Sequence, residues 1–200
     1  MCGVPRVSEE HLAARRQQIL DAARRCFLRN GFHQTTMQDV ITEAGLSVGA
    51  VYRYFRSKND LIAAIAESVV GGAGRIFAEL AEVEPPLPVI EVLSRALDYV
   101  DTHTGPDGQL RIGIQVWAES LREPALAELV ASKYTGMRDH FAVLVRRAQR
   151  SGELPVDADV EGVAAALFGM ILGYLLQRIL TGRPDRAVYL AGVRALLADA

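Results

Sequence analysis

The sequence predicts an all-α chain of about nine helices: an N-terminal three-helix unit built on a helix-turn-helix, then a larger helical unit. Three observations carry this. Apolar residues recur three and four apart through nearly every segment. Clusters of Gly, Pro, Asn and Asp punctuate those segments at helix-sized intervals, and neither a convincing strand run nor an internal repeat is present. Two short segments flank Gly45-Leu46-Ser47, where glycine can take φ > 0 and reverse the chain at low cost.

The first helix is expected from about Glu9 to Asn30. Ile19, Ala22, Ala23, Cys26 and Phe27 form its apolar stripe. Ser8 can cap it, Glu9 and Glu10 suit its first turn, and Arg24, Arg25 and Arg29 suit the far end of its dipole. Asn30-Gly31 supplies a left-handed stop. Thr36 and Asp39 form a capping box that opens a short helix ending at Ala44-Gly45. Ser47 caps another from Val48 to Tyr54. Ser57 and Asp60 form a second capping box, opening a long apolar-periodic stretch from Asp60 towards Leu80. Pro85, Pro86 and Pro88 break the chain. Five further helices are expected near 88–103, 107–121, 124–150, 157–181 and 185–199. The turns between them contain Gly105-Pro106-Asp107-Gly108, Glu123-Pro124, Gly152-Glu153-Leu154-Pro155 and Gly182-Arg183-Pro184-Asp185. The head is taken as 8–60 and the rest as 61–200, with the fourth helix, from about 58, linking them.

Composition narrows the class. Half of the 200 residues are apolar, which excludes intrinsic disorder and lets the chain bury a core without disulfides. Residues 1–60 carry nine Arg/Lys against six Asp/Glu, whereas 61–200 carry thirteen against eighteen. A basic front and an acidic rear fit a polyanion-facing end. Cys2 sits near the terminus and Cys26 on a helical stripe, so no structural disulfide is expected. The N-terminus has no apolar signal-like region. The uncharged run Val163 to Leu176 has 14 residues, fewer than the ~20 of a membrane span. A reduced, cytoplasmic protein with no membrane partner is the reading.

Residues 36–55 are the informative part. Val40, Ile41, Ala44, Leu46 and Val51 can seal the two short helices together, presenting the second to a DNA major groove. That helix would show Ser47, Val48, Gly49, Tyr52, Arg53 and Tyr54 outward. Gly49 leaves room for close approach, Tyr52 can donate to a phosphate oxygen, and Arg53 can fork onto guanine or phosphate. Lys58 adds a cation at the start of the next helix.

The run from Thr36 to Leu61, with its Gly45, Ser47, Gly49, Tyr52, Phe55, Ser57 and Lys58 spacing, closely resembles the signature of the TetR family of bacterial transcriptional repressors. So does Ile19-Leu20-Asp21-Ala22-Ala23 with Phe27 and Asn30-Gly31-Phe32. The resemblance covers roughly residues 12–71. It implies Thr36, Tyr52 and Lys58 as phosphate contacts, and Gln38, Ser47, Arg53 and Tyr54 as phosphate or base-edge contacts. Val48 stands where many members place a cation, and Ile41 where a small Ala is common.

The resemblance also implies an effector pocket after residue 85 and a dimer interface from the last two helices. Candidate pocket residues are Tyr99, His103, Trp117, Tyr134, Met137, Phe141, Phe168, Tyr174 and Gln177, aromatic and polar groups at core-facing positions. Val163 to Leu176 is apolar on every face, which calls for burial all round. Ala165, Ala166, Gly169 and Gly173 permit close helix approach. With Val193, Leu196 and Leu197 they are the expected homodimer interface; the alternative is the central helix of a monomer core. Gly71-Gly72-Ala73-Gly74 lies inside the fourth helix, where each Gly costs about 1 kcal/mol against Ala. A bend that pivots the head, close packing, or a break would each account for it.

The reading is a ligand-responsive repressor that binds a palindromic double-stranded DNA operator as a homodimer and is released by a small-molecule effector. Two alternatives stay open: a DNA-binding regulator without an effector, and a helical enzyme. Against the enzyme, His11, His33, His103 and His140 lack metal-ligand spacing. No phosphate loop, nucleophile elbow or paired acidic motif is present either. No metal and no cofactor are expected.

Overall fold

The computed structural model describes residues 9–197. Those residues form nine helices and no strand. They divide into two compact units, one up to Ser68 and one from Val69. Ser8 and Cys2, and the expected end of the last helix at 199, lie outside the described residues.

The first unit holds α1 (Glu9–Gln34), α2 (Met37–Ala44), α3 (Val48–Tyr52) and the start of α4 (Lys58–Glu82). Gly31 interrupts α1 with φ 76 and ψ 169. This is not the left-handed stop the sequence predicts but an extended positive-φ conformation essentially open only to glycine. One more turn follows because Phe32 has a place to go: it is buried, edge-on to Phe27 at 4.8 Å. Thr36 caps α2 with the predicted reciprocal box, accepting from the Asp39 N–H at 3.1 Å while the Asp39 carboxylate accepts from the Thr36 N–H at 2.8 Å. Gly45 ends α2 at φ 64. Ser47 caps α3, accepting from the Ala50 N–H at 3.3 Å.

Helix α3 stops at Tyr52, two residues earlier than predicted. Tyr54 N–H turns back to Val51 O at 3.0 Å, and this tightened turn drops Phe55 into the core, where it is 3% exposed. The second capping box gains an extra donor, the Asp60 carboxylate being held by the Ser57 backbone N–H and by that of Arg56. Ser57 Oγ accepts from Asp60 N–H as expected, and the Arg56 N–H donates to the Asp60 carboxylate at 2.9 Å. Ile19, Ala23, Cys26, Phe27, Val40, Val51, Leu61 and Ile65 close the core. Each of the large ones contributes roughly 1.5–3 kcal/mol. Burial raises the Cys26 thiol pKa.

The second unit holds the rest of α4, α5 (Val89–His103), α6 (Leu110–Ser120), α7 (Pro124–Ser151), α8 (Val160–Thr181) and α9 (Arg186–Leu197). Helix α4 runs unbroken through Gly71, Gly72 and Gly74. Helix α6 starts three residues later than predicted because Gly105 to Gly108 form a turn, closed by Gly108 N–H to Gly105 O at 2.8 Å. A Cβ on Gly108 would collide with the His103 carbonyl. Helix α8 starts at Val160, capped by Asp159, which accepts from Gly162 N–H at 2.7 Å. By length and composition α8, at 22 residues, could cross a membrane, as could α4, although the uncharged run inside α8 is shorter. Leu93, Leu97, Ile112, Phe141, Val145 and Tyr174 fill the core. Arg147 closes the end of α4 by donating to the carbonyls of Ala81 and Val83 and to the Glu84 carboxylate.

Candidate functional site

The helix-turn-helix is held from behind. Gln18 on α1 donates to the Ala44 carbonyl at 2.8 Å, closing the C-terminal end of α2. Glu43 bridges α2 to Arg25 at 2.7 Å and Arg29 at 3.3 Å. The hydrogen bond from Arg25 leads in holding the Glu43 carboxyl below its ordinary pKa. These arginines are therefore committed to the scaffold.

The outward face carries most of the predicted DNA contacts. Thr36, Gln38, Ser47, Gly49 and Arg53 are exposed, and so are Val48 and Tyr52, at 52% and 43%. Among the described residues Arg53 makes no ion pair, so its guanidinium is free for an external anion. Val48 adds an exposed apolar side chain at the start of α3. Tyr54 is half-buried and shows less of itself than the sequence reading supposes. Thr36 is more constrained than a phosphate donor needs to be: its hydroxyl donates to Asp39 Oδ2 at 2.8 Å. The Thr36 N–H first, and then this hydroxyl, keep the Asp39 carboxyl pKa low. Lys58 is half-buried and donates to Phe32 O at 2.8 Å, with a longer contact to His33 O at 3.5 Å. It ties the start of α4 to the end of α1, a role no local sequence signal marks because the partners are 26 residues apart.

The second unit contains a cavity of about 50 Å³ between α4, α5, α6, α7 and α8. Of the nine predicted pocket residues, Tyr99, Trp117, Tyr134, Met137 and Phe168 line it. The other four do not. Phe141 is fully buried behind the wall, its ring 6.0 Å from that of Phe168. Tyr174 is also fully buried, and it donates its hydroxyl to Asp101 at 2.8 Å; burial leads in raising its pKa. Gln177 is exposed and donates to the Gly173 carbonyl at 3.2 Å. His103 stacks on Tyr99 at 4.0 Å and lines a separate outer groove with Glu79, Arg95 and Asp98. Its Nδ1 lies 2.8 Å from the Tyr99 carbonyl at the end of α5.

The wall also begins earlier than the sequence predicts: Val69, Val70, Ala73 and the aromatic Phe77 on α4 line it, ahead of residue 85, and the remaining unpredicted residues, Leu110, Ile171 and Leu172 among them, are mostly aliphatic side chains that carry no signal of their own. Its polar groups are few. Trp117 Nε1 donates to the Tyr134 hydroxyl, and Gln109 Nε2 donates to the Tyr99 hydroxyl at 3.4 Å. Burial pushes the Tyr134 pKa up to about 12 and raises that of Tyr99. Among the described residues no three His, Cys, Asp or Glu side chains converge where a metal could sit.

Helix α8 buries Ala164, Leu167, Phe168, Ile171 and Leu175 but leaves Ala165, Ala166 and Gly169 exposed and Gly173 partly so. The stripe continues to Leu180 at 72%. Alongside, α9 exposes Val188 at 64% and Leu196 at 72%. Tyr189 ties the two helices, donating to Met170 O at 2.7 Å. Val193 is buried within its own chain and takes no place on this face. Leu197 is half-buried and turns towards Val89 and Leu154.

Residues 19–65 match the family profile described as bacterial regulatory proteins, tetR family, and residues 91–200 match the C-terminal part of BetI-type transcriptional repressors. Over 183 residues the chain is 27% identical to the HTH-type transcriptional regulator UidR of Escherichia coli K12, covering 91% of this chain and 90% of UidR. Its fold is similar to that of Salmonella enterica GusR, with TM-score 0.77, 27% identity, and 96% and 97% of the two chains covered. It is also similar to SmeT in complex with triclosan, with TM-score 0.74, 26% identity, and 92% and 91% covered. SmeT is the repressor of a Stenotrophomonas maltophilia multidrug efflux pump.

Proposed function

The chain belongs to the TetR family of bacterial regulatory proteins, and from that membership we propose that it is a ligand-responsive transcriptional repressor. It binds a near-palindromic operator as a homodimer and leaves it when a small molecule occupies the cavity of the second unit. The observation that carries the reading is the outward face of α3. There Arg53, next to Tyr52 in the chain, makes no ion pair among the described residues and Tyr52 and Val48 are exposed, while Arg25 and Arg29 of α1 are held by Glu43.

Phosphate contacts supply most of the affinity and make it fall with salt. Two heads related by a two-fold axis demand an inverted repeat. The exposed stripe of Ala165, Ala166, Gly169 and Leu180 on α8, with Val188 and Leu196 on α9, supports the dimer, because contiguous apolar surface of this kind marks interfaces. The effector acts only through its differential affinity for DNA-competent and DNA-incompetent states. The cavity, and the likeness to a protein bound to triclosan, support that part.

Selection of bound duplexes from a random library tests the reading. The enriched sequences should be inverted repeats, bound with a steep salt dependence, and Arg53→Ala should weaken them by ~10-fold or more. A monomer in sedimentation, or no preference for inverted repeats at low salt, overturns it. A regulator without an effector is the second reading. It is favoured by one observation: 50 Å³ is far below the roughly 300 Å³ of ordinary ligand sites. Operator release by any small molecule that also quenches Trp117 excludes it.

A further inference from the structure

The polar groups on the cavity wall are sparse enough to be counted one by one. Among the described residues no Asp, Glu, Lys, Arg or His lines it. Its polar atoms are the hydroxyls of Tyr99 and Tyr134 and the indole N–H of Trp117. The indole N–H is already donated to Tyr134, and the Tyr99 oxygen already accepts from Gln109. Both phenolic oxygens thus serve as acceptors, and among the described residues neither hydroxyl has an acceptor for its own hydrogen. Both tyrosines are half-buried, and a hydroxyl hydrogen facing a largely apolar wall gains from an acceptor brought to it.

Resting on the effector-site reading above, we propose that the cavity takes an uncharged, largely apolar molecule carrying a hydrogen-bond acceptor oxygen, a carbonyl or ether, to which Tyr134 donates. An anion would be buried without a cation. A cation would be buried without a carboxylate, which costs more still in a wall of this apolarity. Aromatic rings alone can cage a quaternary ammonium, but these rings are engaged with one another. Trp117 meets Tyr134 at 86°, Tyr134 meets Phe168 at 89°, and Phe77 meets Phe168 at 88°, each contact taking up an edge and a face. With its pKa near 12, Tyr134 remains a protonated donor throughout the physiological range. Entry requires the cavity to widen. Met137, unbranched and adaptable, is one wall that can give. Tyr99 is another: among the described residues it alone lines both the cavity and the outer groove.

The test uses the full-length protein and its single tryptophan, which is in the wall. Quenching of Trp117 is titrated with four naphthalenes of matched size. These are 2-acetylnaphthalene, 2-isopropylnaphthalene, 2-naphthoate and trimethyl(2-naphthyl)ammonium. The acetyl compound should bind about 3- to 10-fold more tightly than the isopropyl compound, the worth of one net hydrogen bond, and both should exceed the ions. In Tyr134→Phe the acetyl preference should vanish. In Tyr99→Phe, which controls for loss of a hydroxyl as such, it should persist. Tighter binding of either ion, equal binding of the acetyl and isopropyl compounds by the native chain, or an acetyl preference that survives Tyr134→Phe overturns the proposal. The native-chain titrations decide even if Tyr134→Phe fails to fold. If none of the four binds, the cavity is not an effector site and the underlying reading fails with it.

Discussion

Gly71 and Gly72 are neighbours in one helix, yet alanine should act oppositely at the two positions. Both have ordinary helical backbone, since the positive-φ glycines among the described residues are Gly31, Gly45, Gly152 and Gly182. Each replacement therefore gains about 1 kcal/mol of helix propensity. At Gly71 a Cβ meets nothing within 4 Å, so the full gain should appear as a rise of roughly 2–4 °C in Tm. At Gly72 the Cβ would lie 3.1 Å from the Tyr99 hydroxyl oxygen. That ring is stacked on His103 at 4.0 Å and cannot retreat freely. Overpacking of this kind costs roughly 1–3 kcal/mol, so Gly72→Ala should be neutral to about 2 kcal/mol destabilising. Thermal and urea denaturation of the full chain, each followed by far-UV circular dichroism, measure both. Equal stabilisation by the two variants would refute the packing account of Gly72. A hinge makes a different demand: Gly71→Ala should then abolish ligand-induced operator release, whereas the packing account leaves that release intact.

Other perturbations test other parts of the structure. Gly45→Ala, which meets no steric obstacle but must hold φ near +64, should cost roughly 1 kcal/mol, read from the urea midpoint. Lys58→Met should lower the same midpoint as well as operator affinity, because Nζ holds the Phe32 carbonyl; an unchanged midpoint would make it a phosphate contact only. Asp39, Glu43 and Asp60 all have pKa values held low in the fold. Their stabilisation is therefore full above the unfolded carboxylate values of 3.8 to 4.5 and is lost as pH falls below them. Acid unfolding monitored by circular dichroism should begin at higher pH when Glu43 pairs with fewer partners, as in Arg25→Ala. Val188→Glu with Leu196→Glu changes two exposed side chains, so the chain should stay folded and sediment as a monomer. A persistent dimer would place the interface elsewhere.

What could be read from the chain in advance was local chemistry. The Thr36-Asp39 box, the Gly45 cap and the Ser47 cap are events within four residues, and side-chain type suffices to anticipate them. Helix positions followed from periodicity and turn residues. What escaped was set by the register between helices. Nothing near Lys58 marks Phe32 as its partner, and nothing near Gln18 marks Ala44. The pocket residues illustrate the same limit. Tyr134, Met137 and Phe141 share a helical stripe, yet the first two face a cavity and the third is packed behind it. Aromatic type predicts burial, not whether a neighbour fills the space in front. The turn after Tyr52 was misjudged because Phe55 pulls the chain inward, a tertiary preference that no propensity at Arg53 or Tyr54 expresses.

Helix α3 is attached to its unit almost entirely through inward groups. Val51 is its sole buried side chain, Ser47 holds its start, and Phe55 anchors the chain beyond. The exposed positions on it contribute little to that attachment. On the proposed function they form an exchangeable cassette: a library varying residues 48, 49, 52 and 53 could be retargeted to new DNA sequences without rebuilding the mount or touching the second unit.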